Sequence, residues 1–359
     1  MNKPLVSVVM VVRNADRFLA EAIESILGQT FTEFEFIIVD FGSSDNSKPI
    51  ISRYAAMDPR VKLHEISNCS LGEARNAGST LAQGQYIAMM DADDIAVPER
   101  LMWQVEFMLK SPRVGLLGGE MEWIDATGKP LFIGHLPRDD REIRSNLTVR
   151  NCFAQPTVLI RKEAFTLVGG YRAVFAQAED YDLWLRIQEH FDCANLGRVL
   201  LKYRIHSYQL TTRKRNQQTL CSLAARASAL SRRQGNPDPL ASVPEITPAV
   251  LTALGVSEAA QQITATDDYL AWIRIMYMAG EYASALRTAT MVLESSDCEH
   301  AERWQISELY LFVARLLWKE RKFSGSVFAA GRAFITRPIM VGRPLKVLLR
   351  SLRPPAVAE

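Results

Sequence analysis

Runs of apolar residues alternate with helix-like segments along the first part of the chain. Residues 5–12 (LVSVVMVV) and 34–39 (FEFIIV) are apolar on both faces, which is typical of strands buried between helical layers. Between them, apolar residues recur at the spacing of one helix face from Phe18 to Leu27. Strand, helix and strand in this order form a βαβ unit.

The same alternation continues beyond this unit. It predicts helices at about 47–56, 71–82, 98–109 and 178–190, and strands at 61–65, 86–90, 114–118, 119–124, 157–160 and 199–204. We therefore predict an α/β fold with a doubly wound, mixed sheet flanked by helices. In such sheets ligands bind beyond the carboxyl ends of the strands, so the polar residues that follow each strand are candidates for a binding site.

The chain changes character after His206. Strand-like runs disappear, the prolines between Pro237 and Pro248 indicate a linker, and helical periodicity returns at 269–293 and 304–318. These changes predict a helical C-terminal region.

We expect two domains from this pattern. The first would be a catalytic domain at 1–210, with one half at about 1–110 and the other at about 111–210. The second would be a helical domain or appendage at 211–359. Residues 281–295 (EYASALRTATMVLES) are typical of one helix of a paired-helix repeat, but a single copy does not make a repeat.

Composition narrows the class of protein only in part. The formal net charge of +2 over 359 residues gives no field that requires nucleic acid as a partner. The five cysteines are scattered and lack metal-ligand spacing, which favours a reducing cytoplasm. The N-terminus lacks a signal-peptide pattern and no apolar run approaches the ~20 residues of a membrane span, so we expect any membrane contact to be peripheral.

The strongest local signal is Asp91-Ala92-Asp93-Asp94, directly behind the strand at 86–90. On an extended chain Asp91 and Asp93 point the same way, and converging carboxylates suit Mg²⁺ or Mn²⁺. A metal held there could neutralise a departing diphosphate. The alternative is a solvated turn that caps the helix beginning near Pro98, where aspartates are also favoured.

Three blocks together resemble one known family. Residues 6–47 (VSVVMVVRNADRFLAEAIESILGQTFTEFEFIIVDFGSSDNS), 68–94 (NCSLGEARNAGSTLAQGQYIAMMDADD) and 155–187 (QPTVLIRKEAFTLVGGYRAVFAQAEDYDLWLRI) resemble the donor-binding, DxD and acceptor-side blocks of family 2 glycosyltransferases, in that order and spacing. The resemblance implies a GT-A fold. It also implies that a sugar moves from a nucleotide-diphosphate donor to an acceptor hydroxyl, with inversion at the anomeric centre.

The resemblance assigns roles to single residues. Asp91 and Asp93 match the DxD pair that holds Mn²⁺ or Mg²⁺ and the donor diphosphate. Asp180 matches the base that deprotonates the acceptor, and Asp40 matches an acid near the nucleoside. Glu179 is a second catalytic candidate because adjacent carboxylates raise one another's proton affinity, with a favourable place in the first turn of a helix as the alternative.

Two residues have weaker assignments. Arg75 is expected on the nucleotide side of the site, with a solvent-facing or acid-paired helix arginine as the alternative. His206 follows the strand at 199–204, where similar enzymes have a histidine near the metal, and an ordinary loop residue is the alternative.

The chain departs from the family pattern around the nucleoside. Phe41 replaces the usual second acid after Asp40, and Val11 and Arg13 replace the usual threonine-tyrosine type residues. Phe41 would stack or pack where a carboxylate would accept a hydrogen bond, which leaves the identity of the nucleotide open. On the acceptor side, Gln155 stands where a histidine is common.

The end of the chain is basic and apolar. Eight lysines and arginines follow Glu320, and the terminal Glu359 is the only acid among them. Such a segment could lie on an anionic membrane, which would suit a lipid-linked acceptor and a cytoplasmic enzyme at the inner face of the membrane. The alternative is a helical appendage whose apolar face covers the catalytic domain.

The leading hypothesis is a metal-dependent hexosyltransferase that acts on a glycan or lipid-linked glycan in surface polysaccharide or glycolipid biosynthesis. A non-catalytic nucleotide-sugar-binding protein is the alternative, for which Phe41 is the positive hint. A nucleotidyltransferase is disfavoured because the N-terminal region has no glycine-rich, lysine-containing phosphate loop.

Overall fold

The computed structural model describes residues 3–207, 214–295 and 300–337. Their contacts divide the chain into two compact units. The first holds the residues up to Arg204 together with Cys221–Val250, and the second holds Ile205–Leu220 and the residues from Leu251 onward. The expected boundary near Leu210 lies outside the described residues, so the division into 1–210 and 211–359 stays a prediction.

Within the described residues, a nine-stranded sheet forms the centre of the first unit. Its strands are β1 (Val6–Val12), β2 (Phe34–Asp40), β3 (Val61–Glu65), β4 (Tyr86–Met90), β5 (Ile95–Ala96), β6 (Val114–Ile124), β7 (Pro130–Gly134), β8 (Leu159–Arg161) and β9 (Asp192–Arg204). Their order is β3-β2-β1-β4-β8-β6-β9-β5, with β7 paired to β6. Strands β1 to β4 are parallel and β8 is antiparallel to β4, so the sheet is mixed, as predicted.

Thirteen helices accompany the sheet or follow it within the described residues. They are α1 (Asp16–Leu27), α2 (Ser47–Met57), α3 (Leu71–Leu81), α4 (Arg100–Lys110), α5 (Asp140–Asn146), α6 (Lys162–Leu167), α7 (Glu179–Ile187), α8 (Arg215–Arg233), α9 (Pro248–Ala253), α10 (Glu258–Met278), α11 (Tyr282–Glu294), α12 (Arg303–Lys319) and α13 (Phe323–Thr336). The sequence did not predict α5, α6, α8 and α9, which are short or have a weak apolar stripe.

The central strands are buried on both faces, as their continuous apolar runs predict. Every residue of β1, β2 and β4 is buried, because helices cover both faces of this part of the sheet. The predicted strands at 114–118 and 119–124 are wrong in one respect, since they form the single strand β6. Its register against β9 shifts after Gly119, where a Cβ atom would lie 2.5 Å from Leu200, so this glycine allows the close approach of β9.

The second unit contains two helical hairpins, α10–α11 and α12–α13. The residues with positive φ, Gly280 (79°) and Arg321 (61°), occupy the same place in each, just before α11 and α13 begin. Residues 322–336 (KFSGSVFAAGRAFIT) therefore have the same place in the second hairpin as residues 281–295 in the first. The single periodic stretch at 269–293 is also divided, because the turn at Gly280 separates α10 from α11.

No helix among the described residues is long and apolar enough to cross a lipid bilayer.

Candidate active site

The loops after β1 and β2 are joined at the carboxyl edge of the sheet. Asn14 has a φ of 54°, and its side-chain oxygen accepts from the backbone N–H of Ser44 at 2.8 Å. Its own N–H donates to Ser43 Oγ at 3.1 Å, and the N–H of Ala15 donates to Ser47 Oγ at 2.9 Å. Since β1 and β2 are adjacent and parallel, these bonds build one continuous rim in front of both strands.

Asp40 lies at this rim with one carboxylate oxygen still available. Its Oδ1 accepts from the backbone N–H groups of Gly42 and Ser43 at 3.0 and 2.9 Å. Its Oδ2 is buried and has no hydrogen-bond partner within the described part of the chain. Buried polar atoms rarely stay unpaired, so this oxygen is a candidate acceptor for a donor group on a ligand.

Phe41 and Arg13 are brought together beside Asp40. The Phe41 ring is buried, and the guanidinium carbon of Arg13 lies 5.6 Å from the ring centroid, which is a cation–π distance. Val11 is also buried at the end of β1. The assignment of these residues to the nucleoside stays a prediction. The buried Phe41 ring beside Arg13 stands in place of the second acid that the family pattern would have here.

The three acids after β4 do not form a solvated cap. The helix α4 begins after Glu99 without a side-chain capping bond, so the capping alternative is wrong. Asp94 is buried, and its Oδ1 accepts from the N–H of Arg204 at 2.8 Å. The guanidinium Nε of Arg204 donates to the carbonyl oxygen of Asp93 at 3.0 Å. Strand β9 therefore fixes this loop, and Asp91 and Asp93 are the acids that remain partly exposed.

Arg75 connects the acids after β4 to helix α7. Helix α3 begins at a capping box in which Ser70 and Glu73 bond to one another's backbone, and this start positions Arg75 one turn later. Arg75 is buried, forms an ion pair with Glu179, and places its Nη2 3.4 Å from Asp91 Oδ1. It is therefore an acid-paired arginine and not a solvent-facing one.

Asp180 and Glu179 open helix α7 and face different partners. Glu179 is buried against Arg75, whereas Asp180 is partly exposed, with Asn151 Nδ2 3.4 Å from its Oδ2. Burial, and secondly the charge of Glu179, raise the pKa of Asp180 to about 6, although Arg75 opposes the shift. A carboxylate with this pKa can accept a proton near neutral pH.

Arg75 contacts both Asp91 and Glu179, and this brings the acids after β4 and those of α7 close together. Burial raises the pKa of Asp91 to about 6. The charge of Arg75 opposes this rise, and the charges of Asp93 and Glu179 add to it. Asp91 in turn contributes to the raised pKa of Asp180. Residues far apart in sequence thus form one cluster around Arg75, with more negative than positive charge.

Tyr171 forms the wall of this cluster next to Arg75. The preceding glycines, Gly169 and Gly170, have φ values of 76° and 69°, and a Cβ at Gly170 would lie 2.6 Å from Asn76 Oδ1. The amide of Asn76 accepts from the N–H of Tyr171 at 2.9 Å and donates to its carbonyl oxygen at 2.7 Å. Gln155 Nε2 donates to the Tyr171 hydroxyl at 2.8 Å, so Gln155 fixes this ring where a histidine is usual.

Sequence reasoning missed two residues that hold the site. Asn76 stands directly after Arg75 in a helix that carries several other polar residues, so the sequence offered no signal that singled it out. Arg204 is a charged residue at the end of a buried strand, which is unusual enough to have identified it.

The backbone in front of α7 is strained at Ala178. This residue has φ 54° and ψ 28°, a left-handed conformation that favours glycine. We expect Ala178→Gly to raise the free energy of unfolding by roughly 0.5–1 kcal/mol, measured by urea denaturation.

The matched control is Ala20→Gly in the interior of α1, which should lower the same free energy by roughly 0.5–1 kcal/mol. Equal losses in both variants would show that the positive φ at Ala178 carries no cost.

Two partly exposed acids are available for a divalent cation. The described part of the chain contains no group of three His, Cys, Asp or Glu side chains arranged to hold a metal. Asp91 and Asp93 could each supply a carboxylate. Mg²⁺-type ions are commonly bound by one or two carboxylates plus substrate phosphates and water. His206 is buried and belongs to the second compact unit, so its role at the metal stays a prediction.

Comparison with known proteins places this geometry in a family. Residues 7–166 match the model of glycosyl transferase family 2. The O-antigen biosynthesis glycosyltransferase WbnJ of Escherichia coli is 35% identical over 210 residues, which cover 56% of this chain and 80% of the relative. The Escherichia coli UDP-Glc:alpha-D-GlcNAc-diphosphoundecaprenol beta-1,3-glucosyltransferase WfgD is 30% identical over 219 residues, covering 60% and 82%.

Solved structures agree with the fold. The mannosyltransferase PcManGT of Pyrobaculum calidifontis, solved with GDP-Man and Mn²⁺, superposes with a TM-score of 0.51 at 17% identity, covering 95% of this chain and 87% of that one. The S. aureus TarS 1-349 structure with UDP gives 0.50 at 15% identity, covering 91% and 90%. The GT-A fold is therefore confirmed, and the chain belongs to glycosyltransferase family 2.

Proposed function

We propose that this glycosyltransferase moves a sugar from a nucleotide-diphosphate donor to an acceptor hydroxyl and inverts the anomeric centre, with Asp180 as the base. The observation that carries the proposal is the position of Asp180, partly exposed and with a pKa raised to about 6, in the same electrostatic cluster as Asp91. A single displacement needs a base on the side opposite the leaving group, and no side-chain nucleophile.

On the donor side, the rim at Asp40, Arg13 and Phe41 would receive the nucleoside. Asp40 Oδ2 is available to accept a hydrogen bond there. Asp91 and Asp93 would hold Mn²⁺ or Mg²⁺, which when bound neutralises charge on the departing diphosphate. Arg75 keeps Asp91 in place from behind and adds positive charge to the cluster.

On the acceptor side, Asp180 Oδ would take the proton of the attacking hydroxyl. Asn151 orients this carboxylate, and Glu179 keeps its proton affinity high enough for the task. Arg75 forms a buried ion pair with Glu179. This pair links the donor side of the proposed site to its acceptor side.

The acceptor is proposed to be a glycan or lipid-linked glycan of surface polysaccharide biosynthesis. The relative WbnJ is named for O-antigen biosynthesis, and WfgD is named for transfer to a diphosphoundecaprenol-linked sugar. Such an acceptor would be reached from the cytoplasm at the inner face of the membrane. The alternative, a non-catalytic nucleotide-sugar-binding protein, lacks an observation in its favour besides Phe41.

Metal removal tests the donor side of the proposal. With a panel of UDP-, GDP- and dTDP-sugars, we expect one donor to raise the melting temperature in the presence of Mn²⁺, since a ligand stabilises the state that it binds. Turnover of that donor should fall by at least about 100-fold in EDTA and return with Mn²⁺. The product should have the opposite anomeric configuration by NMR.

Asp93→Asn is the informative variant, because it should lose the response to Mn²⁺. Asp125→Asn is the control, since Asp125 serves a turn through Thr127 and Lys129 and should keep that response. Full turnover in EDTA would contradict the metal proposal. Donor binding without any turnover would favour the non-catalytic alternative.

A further inference from the structure

Helix α13 exposes an unusual number of large apolar side chains. Phe323, Val327, Phe328, Phe334 and Ile335 are between 43% and 72% exposed. Single exposed apolar residues are common on protein surfaces, but five on one helix of 14 residues form a patch. We call these five side chains the α13 outer face.

The five side chains share one side of the helix. At about 100° per residue they spread over roughly 140° of its circumference, with Gly331 near the middle. Among the residues that the structure describes, a Cβ atom added at Gly331 would meet no atom within 4 Å, so the centre of the face is open with respect to them. The buried side of the same helix carries small residues instead, Ser326, Ala329 and Ala333.

Two of the five positions of this face are charged in the α10–α11 hairpin. The residue of α11 that corresponds to Phe328 is Arg287, and the one that corresponds to Ile335 is Glu294. Both are exposed. The other three corresponding residues, Tyr282, Leu286 and Leu293, are apolar and half-buried. The two hairpins therefore differ at Phe328 and Ile335, where α13 exposes large apolar side chains in place of charged ones.

The charged side chains on α13 and at its two ends are basic, and Glu320 before the helix pairs with Lys322 at 2.7 Å. Arg321 and Lys322 precede it, Arg332 flanks Phe328 on the helix, and Arg337 follows it. No acid occurs after Glu320 until the terminal Glu359. A surface of phenylalanine and aliphatic side chains bordered by basic residues is complementary to an anionic phospholipid surface. A second copy is a poor match, because two such faces would bring like charges together.

We propose that the α13 outer face binds the surface of an anionic phospholipid bilayer, with its apolar side chains in the interfacial region and its arginines and lysines at the headgroups. The proposal goes beyond sugar transfer and does not depend on it. It replaces the broad sequence expectation for the region after Glu320 with a defined helix face.

Vesicle binding of the full chain tests the proposal. We expect binding to vesicles of phosphatidylglycerol and phosphatidylcholine, at least tenfold weaker binding to phosphatidylcholine alone, and weaker binding at high salt. The double variant Phe328→Ser/Ile335→Ser should reduce binding to the anionic vesicles at least tenfold. Gly331→Asp, which has room for its side chain, should do the same.

The control removes equally exposed apolar side chains elsewhere. Met57 is 72% exposed at the end of α2 and Leu109 is 60% exposed on α4, so Met57→Ser/Leu109→Ser should leave vesicle binding within twofold. Donor turnover in solution should be unchanged in all of these variants, which separates this proposal from the proposed reaction.

Three results would overturn the proposal. The chain does not bind anionic vesicles, or both α13 variants bind as well as the wild-type chain. In the third, light scattering without lipid detects a dimer that Phe328→Ser/Ile335→Ser dissociates, which assigns the face to a second copy.

Discussion

Asp180→Asn should lower kcat by a factor on the order of 10²–10⁴ while leaving donor binding within about threefold, because only proton transfer from the acceptor is lost. Asparagine keeps the shape of the side chain and its contact with Asn151, so the fold should not change. The measurement is steady-state transfer with saturating donor and Mn²⁺, together with the thermal shift produced by the donor.

The pH dependence gives a second readout of the same residue. With the pKa of Asp180 raised to about 6, the base is ionised above that pH and protonated below it. The rate of the wild-type enzyme should therefore fall about tenfold per pH unit below pH 6 and be level above it. If Asp91 binds Mn²⁺ as proposed, saturating Mn²⁺ would keep Asp91 ionised, and the acidic limb would then report Asp180.

Asp58→Asn is the matched control, since Asp58 pairs with Arg60 at the end of α2, away from the carboxyl edge of the sheet. Its rate should stay within twofold of the wild-type rate. If Asp180→Asn keeps the full rate, or the acidic limb persists unchanged in its residual activity, another group is the base.

Asp182→Asn should lower the free energy of unfolding by about 3 kcal/mol, the lower end of the cost of breaking a buried ion pair. Asp182 is fully buried, and its carboxylate accepts from Arg172 Nε at 3.0 Å and Arg186 Nε at 2.9 Å. Arg172 also binds Asp238 at 2.7 Å, which limits the loss. Against a typical total of 5–15 kcal/mol this is a large change, measurable by urea denaturation.

A second aspartate with two arginines provides the comparison. Asp192 lies 3.0 Å from Arg113 and 3.8 Å from Arg144, but Arg113 is 88% exposed. Solvent screens such a pair, so Asp192→Asn should cost less than about 1 kcal/mol. Similar losses in both variants would mean that burial of Asp182 does not determine the strength of its ion pairs.

The two aspartates of α7 thus have different expected roles. Asp182 anchors it, since Arg186 also donates to the carbonyl of Gly170 and ties α7 to the turn before Tyr171. Asp180 is then held at the opening of the cluster. Loss of Asp182 should reduce stability first and activity only through the position of α7.

The sequence predicted the parallel core of the sheet well. Strands β1, β2 and β4 are continuous apolar runs, and a strand buried on both faces requires such a run whatever surrounds it. It predicted the second half of the fold less well. Strands such as β5 and helices such as α6 are too short for a period to show, and packing in the tertiary structure decides them.

For the candidate site, too, the sequence predicted some features and only the structure gave the others. The family blocks of the sequence predicted roles for Asp91, Asp93 and Asp180, which stay predictions, and the GT-A fold that they implied is the one observed. That Arg75 and Glu179 form an ion pair could not be read from the chain, because 104 positions separate them. Likewise, only the packing of β9 against the loop after β4 gives Arg204 its place.

By itself, then, the sequence determined the local properties of this protein: which segments are buried strands, which positions carry carboxylates at the edge of the sheet, and which family the three blocks resemble. Tertiary structure alone decided which charges meet, how far the pKa values of Asp91 and Asp180 rise, and which face of α13 stays exposed. The reason is physical. Periodicity and residue type act over a few residues, whereas desolvation and Coulomb interactions depend on distances in space that the order of residues does not specify.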